Sequence, residues 1–133
     1  QGEDLDKKKI LQNFEKGKTV FYPHGYSNYF FHPTHPHELI IVSTENNKVS
    51  ILNCLSGEIV RTISKGKEYA FCNIDPVTGN YLFRNSYYVL ITNENGDELF
   101  RMRSEDASPY LANNILTCWA GAAINVEPYL KKP

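Results

Sequence analysis

The sequence contains little cysteine, and its few thiols are widely spaced. Cys54, Cys72 and Cys118 form no C-x-x-C pair, which excludes the usual spacing of a zinc knuckle or a thiol redox site. We expect reduced, largely buried thiols in a reducing compartment, and we favour a cytoplasmic location. The alternative is one disulfide with a leftover thiol in a processed secreted or periplasmic chain.

An excess of charge of one sign and long hydrophobic runs are absent as well. The chain has 14 basic and 15 acidic residues and a net charge of -1, so no overall field attracts nucleic acid or an anionic membrane. No hydrophobic segment is long enough to cross a bilayer. We therefore expect a soluble protein with no nucleic-acid partner and no membrane partner.

Recognisable catalytic motifs are also missing. The chain has neither a Gly-x-Ser-x-Gly nucleophile motif nor a glycine-rich phosphate loop. All four histidines lie between residues 24 and 37, which leaves a Cys72–His24 pair as a remote nucleophile–base combination. Cys72 lies in an apolar stretch that is typical of a buried thiol. We predict that the protein is not an enzyme and has no cofactor.

The chain does have a core-forming composition and an internal repeat. With 41% hydrophobic and 13% aromatic residues in 133 positions, it is expected to fold as a single domain over residues 1–133. The segment from Pro33 to Asn53 is similar to the segment from Pro76 to Asn93, the prolines lying 43 and the asparagines 40 positions apart. Residues 10–18 match residues 59–67 through a shared Lys-Gly-Lys, which indicates a partial third copy.

Strands and tight turns alternate through this repeat. β-branched and aromatic residues favour strands, and Asn46-Asn47, Ser56-Gly57 and Asn95-Gly96 accept the positive φ of hairpin turns. The short connections predict an antiparallel meander. A helix over residues 4–16, ending at Gly17, is the alternative for the N-terminal segment. The predicted strands lie near residues 9–14, 18–22, 27–31, 38–43, 48–53, 58–63, 68–73, 80–84, 87–92 and 98–103.

The unit that runs from Phe30 through Pro33, two strands and Asn53 to Glu58 resembles one blade of a WD-repeat β-propeller. About two and a half degenerate units cover residues 9–103, with Leu52-Asn53 where that family usually has Trp-Asp. A propeller needs about four to eight blades. The resemblance therefore implies a section of a larger propeller, an oligomer that closes one, or a small sheet with blade-like strands.

The C-terminal segment departs from the repeat. Ser108-Pro109 is a good helix start, and Leu111, Ile115, Leu116 and Trp119 have nearly helical spacing. We predict a short helix at 109–120 that covers the sheet, followed by an extended tail. The fold class is thus mainly β, and the alternative is an α+β single sheet covered by N- and C-terminal helices.

The strand predicted at 98–103 ends the repeat and leaves an edge. Exposed strand edges pair with other chains unless they are covered or charged, and the only basic residues of this one are Arg101 and Arg103. We expect the C-terminal segment to cover it, or the chain to self-associate through it.

Three histidines, His32, His35 and His37, lie close together in one loop, eight to thirteen residues after His24. Imidazoles at these spacings are able to reach one transition-metal ion. However, His32 occupies the position that Asp75 holds in the second copy of the repeat, which favours a structural turn. We therefore expect no metal here, and a metal site at the three residues or a pH-sensitive contact is the alternative.

Tyrosine is more abundant than a core of this size needs. Tyrosine and tryptophan give a large contact area at low entropy cost, so they suit recognition surfaces. Because adjacent residues of a strand face opposite sides, we expect one of Tyr87 and Tyr88 to point outward. The candidate partner-binding residues are Tyr22, Tyr26, Tyr29, Tyr87, Tyr88 and Trp119.

These features favour a non-enzymatic module that binds a protein partner, in the manner of an inhibitor or immunity-type protein. A structural fragment of a larger β-propeller scaffold is the second hypothesis. A metal- or small-ligand-binding sensor at the His32–His37 loop is the third.

Overall fold

A computed structural model describes residues 27–43, 46–105, 108–118 and 121–132, which form eleven strands. The strands predicted near 9–14 and 18–22, and the alternative helix at 4–16, lie outside these residues. The one helical element described is a 3-10 turn at Glu127–Tyr129. The strands are β1 (Ser27–Phe31), β2 (Glu38–Ser43), β3 (Val49–Asn53), β4 (Glu58–Ile63), β5 (Ala70–Ile74), β6 (Tyr81–Arg84), β7 (Tyr88–Thr92), β8 (Glu98–Arg103), β9 (Tyr110–Ala112), β10 (Ile115–Thr117) and β11 (Ala123–Asn125).

The strands form three antiparallel sheets, each a meander of consecutive strands. Sheet 1 has the order β1-β2-β3-β4, sheet 2 has the order β5-β6-β7-β8, and sheet 3 has the order β11-β10-β9. All eight strands predicted between residues 27 and 103 are present, and their ends differ from the prediction by two residues at most. The mainly β, antiparallel fold class is therefore confirmed.

Sheets 1 and 2 share two local features besides their strand order. The pairing of β3 with β4 shifts register after Ile51, and the pairing of β7 with β8 shifts after Ile91. An asparagine stands at the end of each of these inner strands, Asn53 as the last residue of β3 and Asn93 directly after β7. The side-chain oxygen of each accepts two backbone N–H bonds from the following turn. The asparagines therefore fix the turns through local hydrogen bonds.

The predicted C-terminal helix at 109–120 is wrong. Residues 110–117 form the β9–β10 hairpin, in which Leu111 lies opposite Leu116. Its turn residues Asn113 and Asn114 have φ of 52° and 62°, a conformation that asparagine tolerates and that two-residue hairpins require. The same apolar spacing suits the buried side of a hairpin, and the asparagine pair allows the tight turn that a hairpin needs. The C-terminal part of the α+β alternative is wrong for the same reason.

Sheet 2 is the middle layer. Side chains on its two faces contribute to two separate hydrophobic cores, one shared with sheet 1 and one shared with sheet 3. One face of β6 carries Tyr81 and Phe83, which pack against sheet 1, and the other carries Leu82, which packs against sheet 3. The first core contains Ile40, Val42, Val49, Ile51, Ile63, Ile74, Tyr81, Phe83 and Leu90. The second core contains Leu82, Val89, Ile91, Leu99, Leu111, Leu116 and Val126.

Asn73 in β5 and Asp75 in the turn after it link sheet 3 to sheet 2 through hydrogen bonds of their side chains. The Asn73 amide donates to the Leu111 carbonyl at 2.9 Å and accepts the Leu111 N–H at 3.2 Å. The Asp75 carboxylate accepts the N–H groups of Asn113 at 2.7 Å and Asn114 at 2.9 Å. These bonds pair backbone N–H and C=O groups of the β9–β10 hairpin. The hairpin is too short to be stable alone, so its attachment to sheet 2 stabilises it.

The C-terminal tail reaches the β8 edge that the sequence predicts to need cover. The N–H of Lys131 donates to the Leu99 carbonyl at 2.8 Å, and Leu130 packs against the second core. The tail therefore occupies part of the edge at the start of β8.

Candidate functional site

Five side chains on the second sheet form one continuous surface group, which we name the tyrosine–arginine cluster: Tyr69, Tyr87, Tyr88, Arg101 and Arg103. Its position follows from strand pairing, because Arg103 lies opposite Tyr88 and Arg101 lies opposite Leu90. Leu90 belongs to the first core, and residues two apart in a strand share a face. The strand members of the cluster therefore lie on the face of sheet 2 that is turned towards sheet 1.

Two guanidinium groups alternate with three tyrosine rings in this cluster. The Arg101 guanidinium carbon lies 5.5 Å from the centroid of the Tyr69 ring and 5.4 Å from that of Tyr88. The Arg103 guanidinium carbon lies 5.3 Å from the Tyr87 centroid and 5.9 Å from the Tyr88 centroid. These distances fall within the range of cation–π attraction, so each ring and each cation restrains its neighbours.

The two arginines differ in how fully they are engaged. Arg101 donates to Glu98 at 3.0 Å and to the Tyr69 hydroxyl oxygen, and its hydrogen bond lowers the pKa of Glu98. Within the described part of the chain Arg103 pairs with Glu105, at 3.9 Å, and the Arg103 side chain is 63% exposed. Arg101, with a side chain that is 38% exposed, therefore supports the cluster through its bonds, and Arg103 is the more exposed cation.

Tyr87 is the outward member of the Tyr87–Tyr88 pair, as the sequence predicts, and Tyr88 is half-buried, but alternation along a strand is not the reason. Tyr87 precedes β7 and belongs to a turn in which Asn85 accepts the N–H groups of both tyrosines at 2.8 Å. Alternation holds only within a strand, so it does not apply to this pair. Both rings contact Arg103 as a result, and Tyr87 is 54% exposed.

The remaining predicted recognition residues are not part of this cluster. Tyr29 lies on β1 of sheet 1 and is partly exposed, whereas the cluster lies on sheet 2. Tyr22, Tyr26 and Trp119 lie outside the described residues. The sequence prediction missed Tyr69, Arg101 and Arg103 as cluster members, although the spacing of the two arginines in a predicted strand places them on one face.

The loop between β1 and β2 gathers a second group of side chains, His32, His35 and Glu38. One ligand atom from each lies within 4.8 Å of the others, and the two imidazole centroids are 4.3 Å apart. Backbone bonds from His32 N to the Glu38 carbonyl and from Glu38 N to the His35 carbonyl close the loop. His37 is exposed and lies outside the group, so Glu38 takes the place that the sequence alternative gave to His37.

His32 is the buried member of this group, with 6% of its surface exposed. Burial is the main cause that lowers the pKa of His32 to about 4, and the nearby charges of His35 and Arg61 lower it further. The negative charge of Glu38 acts in the opposite direction and raises it. The Thr34 N–H donates to His32 Nδ1 at 3.2 Å. The imidazole is therefore neutral at neutral pH, with Nδ1 as the acceptor.

Glu38 connects the loop to the first core through Arg61. The Arg61 guanidinium donates to Glu38 Oε1 at 2.7 Å, and both side chains are largely buried. Tyr81, which is completely buried, lies close enough to Arg61 to be affected by its charge. Burial raises the pKa of the Tyr81 hydroxyl, and Arg61 offsets part of that rise. The carboxylate at Glu38 thus has a fixed orientation relative to the loop.

We expect His32 to make the stability of the protein depend on pH. Unfolded histidine, with a pKa of 6.5, takes up a proton that the folded residue, with a pKa of about 4, does not. Its contribution is complete above pH 6.5 and is lost as the pH falls towards 4. Acidification from pH 7 to pH 5 should therefore lower the free energy of unfolding by about 2 kcal/mol.

Urea denaturation of the wild type and of His32→Asn at both pH values measures this effect. The pH-dependent loss should shrink in His32→Asn and persist in His37→Asn, which alters an exposed imidazole of the same loop. Equal losses in the wild type and His32→Asn would show that His32 is not the group responsible.

Comparison with known proteins finds no relative of this chain. No family model, no characterised protein and no solved structure matches the chain. No helix in the described ranges has the length and apolar character needed to span a membrane. Function is therefore inferred from the side chains and their geometry alone.

Proposed function

We propose that this protein is a non-enzymatic module that binds a protein partner through the tyrosine–arginine cluster. The observation that carries the proposal is the exposed pair of Tyr87 and Arg103, 54% and 63% exposed, beside the half-buried Tyr69 and Tyr88 rings and the hydrogen-bonded Arg101. Tyrosine and arginine are the residue types in which binding energy concentrates at protein interfaces. An inhibitor or immunity-type protein would use such a surface.

The cluster is held in place before a partner arrives. Arg101 is fixed by Glu98 and by the Tyr69 and Tyr88 rings, and Tyr88 in turn restrains Arg103. Side chains that are already ordered lose less entropy on binding, so more of the contact energy appears as affinity. The rigidity of the cluster therefore supports a role in recognition.

The charge of the cluster indicates the chemistry of the partner. Arg103 has several N–H donors, and among the described residues its one acidic partner is Glu105, which is 3.9 Å away and itself exposed. A carboxylate from a partner is able to bond this guanidinium while an apolar side chain packs on Tyr87. We therefore propose a partner surface with an acidic residue beside an apolar one.

The placement of the thiol and the imidazoles supports a non-enzymatic role. Cys72 packs against the core between sheets 2 and 3, and its sulfur faces the Ala70 carbonyl at 3.9 Å. His32 and His35 lie in a loop of sheet 1, and His24 lies outside the described residues. Nucleophilic catalysis requires the nucleophile and its base within hydrogen-bond reach. Cys72 lies on sheet 2 whereas His32 and His35 lie in a loop of sheet 1, which disfavours Cys72 as a nucleophile with either of these two histidines as its base.

Photo-cross-linking from position 87 tests the proposed surface. With p-benzoylphenylalanine in place of Tyr87, incubation with extract of the native host should give a discrete cross-linked product. Excess wild-type chain should compete for this product, and excess Arg103→Glu chain should not, because the reversed charge repels an acidic partner.

Tyr129 supplies the matched control, since it is a tyrosine with 66% exposure. Its neighbour Lys131 bonds to Leu99 near the start of β8, whereas the cluster lies around Arg103 at the end of that strand. The two positions on β8 are four residues, or about 13 Å, apart. The proposal is wrong if position 129 gives the same product as position 87, or if position 87 gives none.

A second candidate function, a scaffold section of a larger β-propeller, is favoured by the stacking of similar sheets. Sheets 1 and 2 share strand order, the position of the register shift and the asparagine turns at Asn53 and Asn93. Propellers arise from radial repetition of such four-stranded units. A gene product that continues the spacing of about 40 residues at either end would support this candidate over an independent module.

A further inference from the structure

We propose that the β1–β2 loop binds one Zn²⁺ ion through His32, His35 and Glu38. This site is separate from the tyrosine–arginine cluster, which lies on sheet 2. The proposal rests on the convergence of two imidazoles and one carboxylate whose ligand atoms lie within 4.8 Å of one another. No other group of three such side chains is found among the described residues.

The loop brings its ligands together without help from a metal. His32 directly follows β1, and Glu38 is the first residue of β2. The backbone N–H of His32 donates to the Glu38 carbonyl at 3.2 Å. His35 lies between them, with its carbonyl bonded to Glu38 N at 3.0 Å. Pro33 and Pro36 restrict the backbone of the same loop. A preformed ligand set reduces the ordering cost of binding an ion.

The chemistry of the three donors selects the ion. Two imidazole nitrogens and one carboxylate oxygen are typical zinc ligands, whereas Ca²⁺ and Mg²⁺ prefer sites made of oxygen alone. Three protein ligands leave the fourth tetrahedral position for water or for another molecule. The proposed ion is therefore a borderline transition metal with one exchangeable position.

Arg61 has the position of an outer-shell residue. Its guanidinium donates to Glu38 Oε1 at 2.7 Å. The other carboxylate oxygen, Oε2, is the one that we assign to the metal. Bonds of this kind orient a ligating carboxylate, although the positive charge of Arg61 also opposes that of the metal. We expect a single moderate-affinity site as the balance of the two effects.

The nitrogen of His32 that would bind the metal is Nδ1, and a metal ion is able to replace its hydrogen bond from Thr34. Its Nδ1 accepts the Thr34 N–H at a long 3.2 Å, which puts the ring proton on Nε2 in the neutral imidazole. A metal at Nδ1 would replace this contact, and the exposed Thr34 N–H would then bond to water. Binding through Nδ1 therefore requires no deprotonation of the ring.

The corresponding loop of sheet 2 shows what a purely structural residue does at this position. Asp75 bonds its own backbone N–H to the Asn80 carbonyl, as His32 does with Glu38, and its carboxylate accepts four backbone N–H groups. Asp75 thereby fixes its own turn and the next hairpin. Among the described residues the His32 ring has hydrogen-bond contacts with Thr34 alone, whose backbone N–H lies 3.2 Å and whose hydroxyl oxygen lies 3.4 Å from Nδ1. The ring therefore does not link separate turns as the Asp75 carboxylate does.

Titration of the tag-free, EDTA-treated full chain with Zn²⁺ and with Co²⁺ tests the site. Calorimetry should give one Zn²⁺ per chain, and Co²⁺ should produce visible d–d absorption of a low-symmetry nitrogen–oxygen site. His37→Ala should bind as the wild type does. His35→Ala, which alters a half-exposed side chain, should lose saturable binding while its circular dichroism stays unchanged.

Glu38→Gln provides a second variant, which keeps the shape of the side chain and removes the charge. It should also lose Zn²⁺ binding. The proposal is overturned if the wild type shows no stoichiometric binding, or if His35→Ala binds as tightly as His37→Ala. Loss of binding in His37→Ala alone would assign any site to exposed imidazoles instead of to this group.

Discussion

Replacing Asp75 with alanine is expected to lower the free energy of unfolding by about 4 kcal/mol. The carboxylate is completely buried and accepts N–H bonds from Val77 and Thr78 in its own turn and from Asn113 and Asn114 in the β9–β10 hairpin. Burial by itself would raise the pKa of Asp75, but these bonds hold it below its usual value. The charged form is therefore the one the fold stabilises.

Equilibrium urea denaturation measures the effect, and Asp97→Ala is the matched control. Asp97 is an exposed turn aspartate, so its replacement should change stability by about 0.5 kcal/mol or less. Because the folded pKa of Asp75 is depressed, its contribution is present above the unfolded pKa and disappears as the pH falls through the folded pKa. Similar losses in the two variants would show that Asp75 does not tie the sheets together.

Replacing Phe83 with alanine is expected to cost about 4 kcal/mol as well, for a different reason. Phe83 is completely buried between sheets 1 and 2, with its ring 5.9 Å from Phe71 and 6.4 Å from Tyr81. Truncation leaves a cavity in the first core that stiff strands on both sides are unable to fill.

Phe31→Ala is the matched control, because Phe31 is also a strand phenylalanine but is 83% exposed. Its replacement should change stability by about 0.5 kcal/mol or less. Thermal and urea unfolding of both variants gives the comparison. A loss in Phe83→Ala no larger than that in Phe31→Ala would contradict the stacking of sheet 2 on sheet 1.

The strands could be predicted from the sequence because the cues were local and mutually consistent. A run of apolar residues such as Tyr81-Leu82-Phe83 indicates a strand with two buried faces, and turn dipeptides such as Ser56-Gly57 and Asn95-Gly96 mark strand ends. The C-terminal hairpin was missed because Leu111 and Leu116 fit two periodicities. The hydrogen bonds that choose between them come from Asn73 and Asp75, 38 residues earlier, and such long-range contacts are invisible to a local pattern.

The candidate sites were only partly predictable for the same reason. Tyr87 and Tyr88 were identified as recognition residues by type, but their common contact with Arg103 depends on the pairing of β7 with β8. In the histidine loop the sequence indicates His32, His35 and His37. The turn rotates His37 away and brings in Glu38, because the backbone of His32 bonds that of Glu38.

The most direct test of the proposed binding function is the affinity of the cross-linked partner, once purified, for two single variants. Titration calorimetry should show that Tyr87→Ala weakens binding about 30-fold, equivalent to about 2 kcal/mol, as expected for a residue at the centre of an interface. Tyr129→Ala, which removes a tyrosine of comparable exposure, should leave the affinity within about twofold. Equal affinities for Tyr87→Ala and the wild type would contradict binding through the tyrosine–arginine cluster.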